Sequence, residues 1–292
     1  MSNKAELFVD CRNLLGEGPF WHASRRELFW FDILENTLFA AGSDGSIRQT
    51  WKLPESAAAA GIVDDDRLAI ATETGLKLFS LSSGAFSQTL ADIEADDPLT
   101  RANDSRVDPT GGFWIGTMRK EEDEAAGALY RWKQGKLDVL RRSVKVPNST
   151  CFAPDGRTAY FSDTFTKQIL KIATDPETGL PVGDWELFAD VSGHRGSPDG
   201  SVVDAEGFLW NARWGGSCVV RHAPDGSVDR IVELPVTQVT CPAFGGPDLS
   251  TLYITSASKT LSPEDLEKQP HAGSIFVFEP GVKGQAETLL KI

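Results

Sequence analysis

Four residues able to hold a cation or move a proton recur at one fixed place in this sequence. Counting back eight residues from the glycine of a polar turn leads from Gly111 to Asn103, from Gly156 to Asn148 and from Gly207 to Asp199. The same step from Arg25, in the turn before Leu28, reaches Glu17, and in two further repeats it lands on the small residues Ala58 and Cys241. Carboxylate and amide oxygens are hard ligands, so a point where Glu, Asn and Asp meet suits calcium, magnesium, manganese or, less typically, zinc. Two facing carboxylates without a cation would repel and shift each other's ionisation. Any one of these residues alone is as well explained as a strand-end cap on backbone groups. Their shared register across separate repeats is what points to a site.

The elements that must position them are β-strands. Helical periodicity is nearly absent, whereas short runs rich in β-branched and aromatic residues recur. There are six: Leu28–Asp32, Arg67–Ala71, Phe113–Gly116, Ala159–Asp163, Phe208–Asn211 and Leu252–Thr255, about 40 to 50 residues apart. That spacing is expected when each repeat is one four-stranded propeller blade, and six blades use the whole chain. The predicted fold is therefore all-β, a single six-bladed β-propeller over residues 1–292. The turns before the strands carry Asp, Pro and Gly, as in Asp108-Pro109-Thr110-Gly111, Pro154-Asp155-Gly156 and Asp204-Ala205-Glu206-Gly207, each residue favouring a tight turn for its own reason. Ser262–Leu266, with a serine cap and early acids, is expected to be a short helical insertion serving as decoration.

Composition narrows the partners. With 292 residues, 40% hydrophobic and 24% charged, the chain reads as an ordinary globular protein, and its formal net charge of −13 repels nucleic acid and anionic membranes. No segment has signal-peptide character or the apolar length to cross a bilayer, so a cytoplasmic location is expected. Cys11, Cys151, Cys218 and Cys241 form no C-x-x-C pair and read as buried small hydrophobes rather than as a zinc or redox motif. His22, His194, His222 and His271 lie in unrelated contexts, and no serine sits in a Gly-x-Ser-x-Gly elbow, which leaves a Ser-His-Asp hydrolase without support. His22 is expected to bond locally, and His194, in a Gly-rich loop before Asp199, is a candidate for the channel mouth.

Several ordered motifs resemble the regucalcin/gluconolactonase family, also called the senescence marker protein family. They are Gly16-Glu17-Gly18-Pro19-Phe20-Trp21; Arg101 to Pro109 continuing to Trp114-Ile115-Gly116-Thr117-Met118; Asn148 to Gly156; and Pro198-Asp199-Gly200 to Trp210. The resemblance implies a six-bladed propeller with one divalent ion (Ca, Zn, Mn or Mg) in its channel and hydrolysis of a sugar lactone. It makes Glu17, Asn148 and Asp199 the metal ligands, in agreement with the register, and Arg101, Asn103 and Glu121 the substrate contacts. The run Lys120 to Glu124 is equally compatible with a solvated loop. Two departures stand out: Ser105 after Asn103-Asp104 and Ser149 after Asn148, where the family usually has Gly at or near these places. Their side chains are expected to narrow the pocket or to donate a new hydrogen bond.

Three protein ligands leave room for water and substrate, the arrangement of a catalytic ion. Asp199 is then the expected general base and Arg101 and Asn103 orient the ring. A small-molecule sugar lactone is the expected partner, and the chain itself is expected to be a monomer or weak homodimer. Two rival readings share the same parts: a phosphotriesterase-type hydrolase, and a calcium-binding regulatory propeller without catalysis.

Overall fold

The six β-rich runs each bury nearly every side chain. Leu28, Phe29, Trp30 and Phe31 are all fully enclosed, as are Phe113 and Trp114. A strand hidden on both faces needs neighbours on both sides, and a ring of sheets packed face to face supplies them. The computed structural model describes residues 3–292 and shows this ring: six four-stranded antiparallel sheets, each run forming the second strand of one blade. Outer strands such as Ile47–Lys52 are mostly exposed and polar.

The innermost strands are Gly16–His22, Ala57–Ile62, Thr100–Val107, Pro147–Phe152, Ser197–Val203 and Val239–Gly245. All six break register with their neighbour at one level: Glu17/Phe20, Ala57/Ala59, Ala102/Ser105, Asn148/Cys151, Pro198/Ser201 and Val239/Pro242. A bulge bends a strand and re-aims its side chains. The eight-residue offset therefore lands, in every blade, at the edge of this break or inside it.

Two glycines let the ring close tightly there. A Cβ on Gly18 would sit 2.2 Å from the Ala58 carbonyl, and one on Gly200 would sit 2.4 Å from the Cys241 sulfur. Each follows a carboxylate, so the next inner strand approaches a backbone without side chain. This explains why the second and sixth blades offer only small residues at the shared level.

The ring is closed by strand pairing between the two ends of the chain. The outer strand of the sixth blade is Glu6–Val9, which pairs antiparallel with Ile275–Phe278. Beyond Phe278 the chain crosses one end of the channel. Gly284 N donates to Leu249 O, Gln285 Nε2 to Val203 O, Lys291 N to Gly111 O and Leu290 N to Ile62 O. Glu287 meets Arg106 at 2.9 Å, both largely buried. The expected helix is present as Pro263–Lys268, with the Ser262 hydroxyl accepting from Asp265 N. The segment around it is more than decoration, because Lys259 and Thr260 just before it form part of a cavity wall.

Breaking a buried ion pair by removing one partner leaves an uncompensated charge. Glu287→Ala is expected to lower unfolding stability by about 3 kcal/mol, measured by urea denaturation; an unchanged midpoint would show that the tail does not brace the channel.

Candidate active site

The channel end opposite the tail opens into a cavity of about 370 Å³, within the range of small-molecule sites. Glu17, Arg101, Asn103, Asn148 and Asp199, drawn from the first, third, fourth and fifth blades, all line it. Met118, Phe165 and Trp214 supply apolar wall.

Each polar side chain is held by its own neighbours. Glu17 Oε2 accepts from Gly18 N at 2.9 Å, and Asp199 Oδ1 from Gly200 N at 3.1 Å. Asn148 Nδ2 donates to Thr164 Oγ1 at 2.7 Å, and that hydroxyl donates onward to Pro198 O at 3.0 Å. This fixes the amide so that Asn148 Oδ1, buried, has no protein partner. Arg101 Nη1 donates to Asn103 Oδ1 at 2.7 Å and to Ala102 O at 2.8 Å, while Asn103 Nδ2 donates to Pro147 O at 2.8 Å. Asn103 thus acts first as the clamp that aims Arg101.

The electrostatics favour a cation. Burial drives the Asp199 carboxyl well above the usual carboxylate range, and Glu17 and Asp104 push it further. Burial likewise raises Glu17, with Asp104 adding to it. Asp104, below the ligand set, is pushed up to about 6, mainly by burial. Cys241 stands at the same level, but burial raises its thiol far above its ordinary value. A neutral thiol is a poor ligand, so the available donors are oxygens. Among the described residues no group of three His, Cys, Asp or Glu is gathered to hold an ion. Two carboxyls and an unpartnered amide oxygen, from Glu17, Asp199 and Asn148, line the one cavity, a donor set that would fit a hard divalent ion.

The sequence from residue 15 to 258 matches the family model described as the SMP-30/Gluconolactonase/LRE-like region. The chain belongs to this family. The L-arabinolactonase of Azospirillum brasilense is 38% identical over 293 residues, covering 98% of this chain and 95% of the relative. The 6-deoxy-6-sulfogluconolactonase of Pseudomonas putida is 36% identical, covering 99% of both. Among solved structures, a calcium-binding protein, regucalcin, from Agrobacterium tumefaciens str. C58 superposes with a TM-score of 0.96 at 38% identity, covering 99% of this chain and 97% of that one.

In this member of the SMP-30/gluconolactonase family, the remaining candidates lie at different places relative to the cavity. Glu121 does not line the main cavity; it borders a neighbouring one that shares Arg101 and Lys259 with it. Glu122 lines the main cavity and accepts from Lys259 Nζ at 2.6 Å. The cause is local: Glu122 has φ 56°, a left-handed turn that sends successive side chains to different sides. Of the two outcomes expected for Ser105 and Ser149, both side chains donate a hydrogen bond and neither lines the cavity. Ser105 Oγ bonds back to Asn103 O, and Ser149, fully buried with φ 61°, donates to Asp199 O at 2.7 Å while accepting from Ser162 and Asn211. His194 is exposed and does not line the cavity. His22 bonds Asp64 O and Ser24 locally, as expected. Missed by sequence reasoning were Thr164, Lys167, Lys259 and Asp104; the first two sit on a short turn without any repeat signature.

Because burial pushes Glu17 up to about 8 and raises Asp199 as well, a divalent ion binding there would compete with protons. Binding is expected to release protons, and affinity to rise with pH by up to about tenfold per unit while one proton is displaced. Calorimetry in buffers of different ionisation enthalpy checks this; pH-independent binding without proton release would contradict it.

Proposed function

We propose that the protein hydrolyses the lactone of a sugar acid, an aldonolactone, to the open-chain aldonate, using a divalent ion held by Glu17, Asn148 and Asp199. The observation that carries this reading is the buried pair of carboxyls, Glu17 and Asp199, lining a cavity of sugar-sized volume together with an unpartnered Asn148 oxygen. The lactonase names of the arabinose-type and sulfogluconate-type relatives support the substrate class, and the calcium-binding relative supports a divalent ion. Membership of an oxygen-only donor set favours calcium, magnesium or manganese over zinc.

When bound, the ion supplies polarisation of the lactone carbonyl and positive charge for the oxyanion that forms there. The chain's own residues do the rest. Asp199, at the cavity lining, takes the proton from the attacking water as the new C–O bond forms. The ring C–O bond then breaks, the same proton returns to the departing ring oxygen to give the hydroxyl, and the new carboxylic acid loses its remaining proton to solvent to give the aldonate. Arg101, aimed by Asn103, holds the ring oxygens and hydroxyls so that carbonyl and water meet in one geometry. Glu122, paired with Lys259, adds to the cavity lining, and Glu121 borders the adjoining cavity that shares Arg101 and Lys259 with it.

At the tail side of the channel Cys241, Asp104, Arg106 and the tail residue Glu287 border a small cavity, with Arg106 and Glu287 paired at 2.9 Å. At the other end Phe165 and Trp214 supply apolar surface beside the polar groups.

Asp199→Asn and Glu17→Gln are each expected to lower kcat for gluconolactone by about 10²-fold or more. Because each removes one of two repelling buried carboxyls, metal-free thermal stability should hold or rise. Steady-state kinetics with thermal melts checks both. Normal turnover in either variant would overturn the site, and metal binding by the wild type without turnover of any aldonolactone would support a regulator instead.

A further inference from the structure

The cavity holds more positive charge than hydrolysis of a neutral lactone uses. Three cations line it, Arg101, Lys167 and Lys259, against three carboxylates, Glu17, Glu122 and Asp199. This inference rests on the divalent-ion reading above: with that ion in place, the lining carries a surplus of two positive charges. The surplus is local, since the chain as a whole has a formal net charge of −13.

The three cations have different employment. Lys259 is taken by Glu122 at 2.6 Å. Arg101 is buried, aimed by Asn103, and is already assigned to the ring oxygens and hydroxyls. Lys167 remains: it is half-buried on the cavity wall, and no carboxylate pairs with it among the described residues.

Its position is built in. Lys167 closes the short turn Thr164–Thr166 with φ 53° and ψ 33°. Its N–H donates to Thr164 O, and its carbonyl accepts from Val191 N at 2.9 Å. Thr164, on the same turn, holds the Asn148 amide. The cation's backbone and the proposed ligand shell are therefore fixed to each other across three residues, with the Ser197 and Thr260 residues on the same wall. A half-buried ammonium facing a polar cavity is poised for an anion that is part of the substrate.

We propose that the physiological substrate is an aldonolactone carrying a fixed negative charge, a phosphate, sulfonate or carboxylate, on the carbon remote from the lactone carbonyl, with Lys167 as its counter-ion. The lactone end meets the floor of the cavity and the anionic end meets the wall at Lys167.

The test compares 6-phosphogluconolactone with gluconolactone as substrates of the metal-loaded full chain, and 6-phosphogluconate with gluconate as ligands of the metal-free protein by calorimetry. Wild type is expected to favour the phosphorylated member in both arms by about tenfold or more, with a preference that shrinks as salt is added. Lys167→Gln should bring the ratio of kcat/KM for the two lactones towards one, chiefly through KM, and Lys167→Glu should invert it. Equal handling of both members by wild type, or a preference that survives Lys167→Gln, would overturn the inference. Turnover of gluconolactone without anionic preference sinks this inference alone. If neither lactone is hydrolysed, the lactonase reading fails, and the calorimetric preference still decides the role of Lys167.

Discussion

Two carboxyl groups that start 182 residues apart in the chain, Glu17 and Asp199, are buried against each other at the channel floor. Burial raises the proton affinity of both; Glu17 raises that of Asp199 further, whereas the hydrogen bond with Asp199 lowers that of Glu17. Such a pair is costly to fold around unless it serves a purpose, because an apolar pair of similar volume would be no less stable. The proposed purpose is cation binding with proton handling, and the rest of the molecule can be understood as the frame that forces the pair together.

That frame works through the residue following each ligand position. Gly18 lets the Ala58 strand approach after Glu17, and Gly200 lets Cys241 approach after Asp199. Ser149, after Asn148, reaches across to the Asp199 carbonyl. On the third blade, Asn103 bonds Pro147 O, and Asp104 accepts from Thr150 N at 2.6 Å. Every ligand-bearing strand is thus tied to the next blade at the bulge itself. Ser149 shows how a left-handed residue that is not glycine is tolerated: three hydrogen bonds, all buried, compensate the strain of its backbone. The ring that holds these strands is closed by pairing of Glu6–Val9 with Ile275–Phe278, and its lower end is sealed by the tail.

The sequence exposed what repeats. Runs such as Leu28–Asp32 and Phe113–Gly116 are contiguous and apolar because both faces of a second strand are covered, so their six positions could be read directly. The offset of eight is legible because the inner strand and its turn have one length in each blade. Contacts between blades leave no such period. The hydroxyl of Ser149 aimed at Asp199, the Thr164 grip on Asn148, and the Lys259 to Glu122 pair each join residues with no local pattern between them. That Glu122 lines the main cavity while Glu121 borders its neighbour is hidden for a related reason: the acidic run around them carries no periodicity, and one left-handed residue decides which carboxyl faces which cavity. The closing strand and the tail escaped notice because strand pairing between chain ends depends on ring closure, not on composition.

Diffraction from crystals soaked in manganese, recorded where the metal scatters anomalously, tests the central claim most directly. The account predicts one strong peak at the channel floor, within about 2.0–2.6 Å of oxygens from Glu17, Asn148 and Asp199 together. A peak elsewhere, or none while the three side chains keep their places, would contradict it.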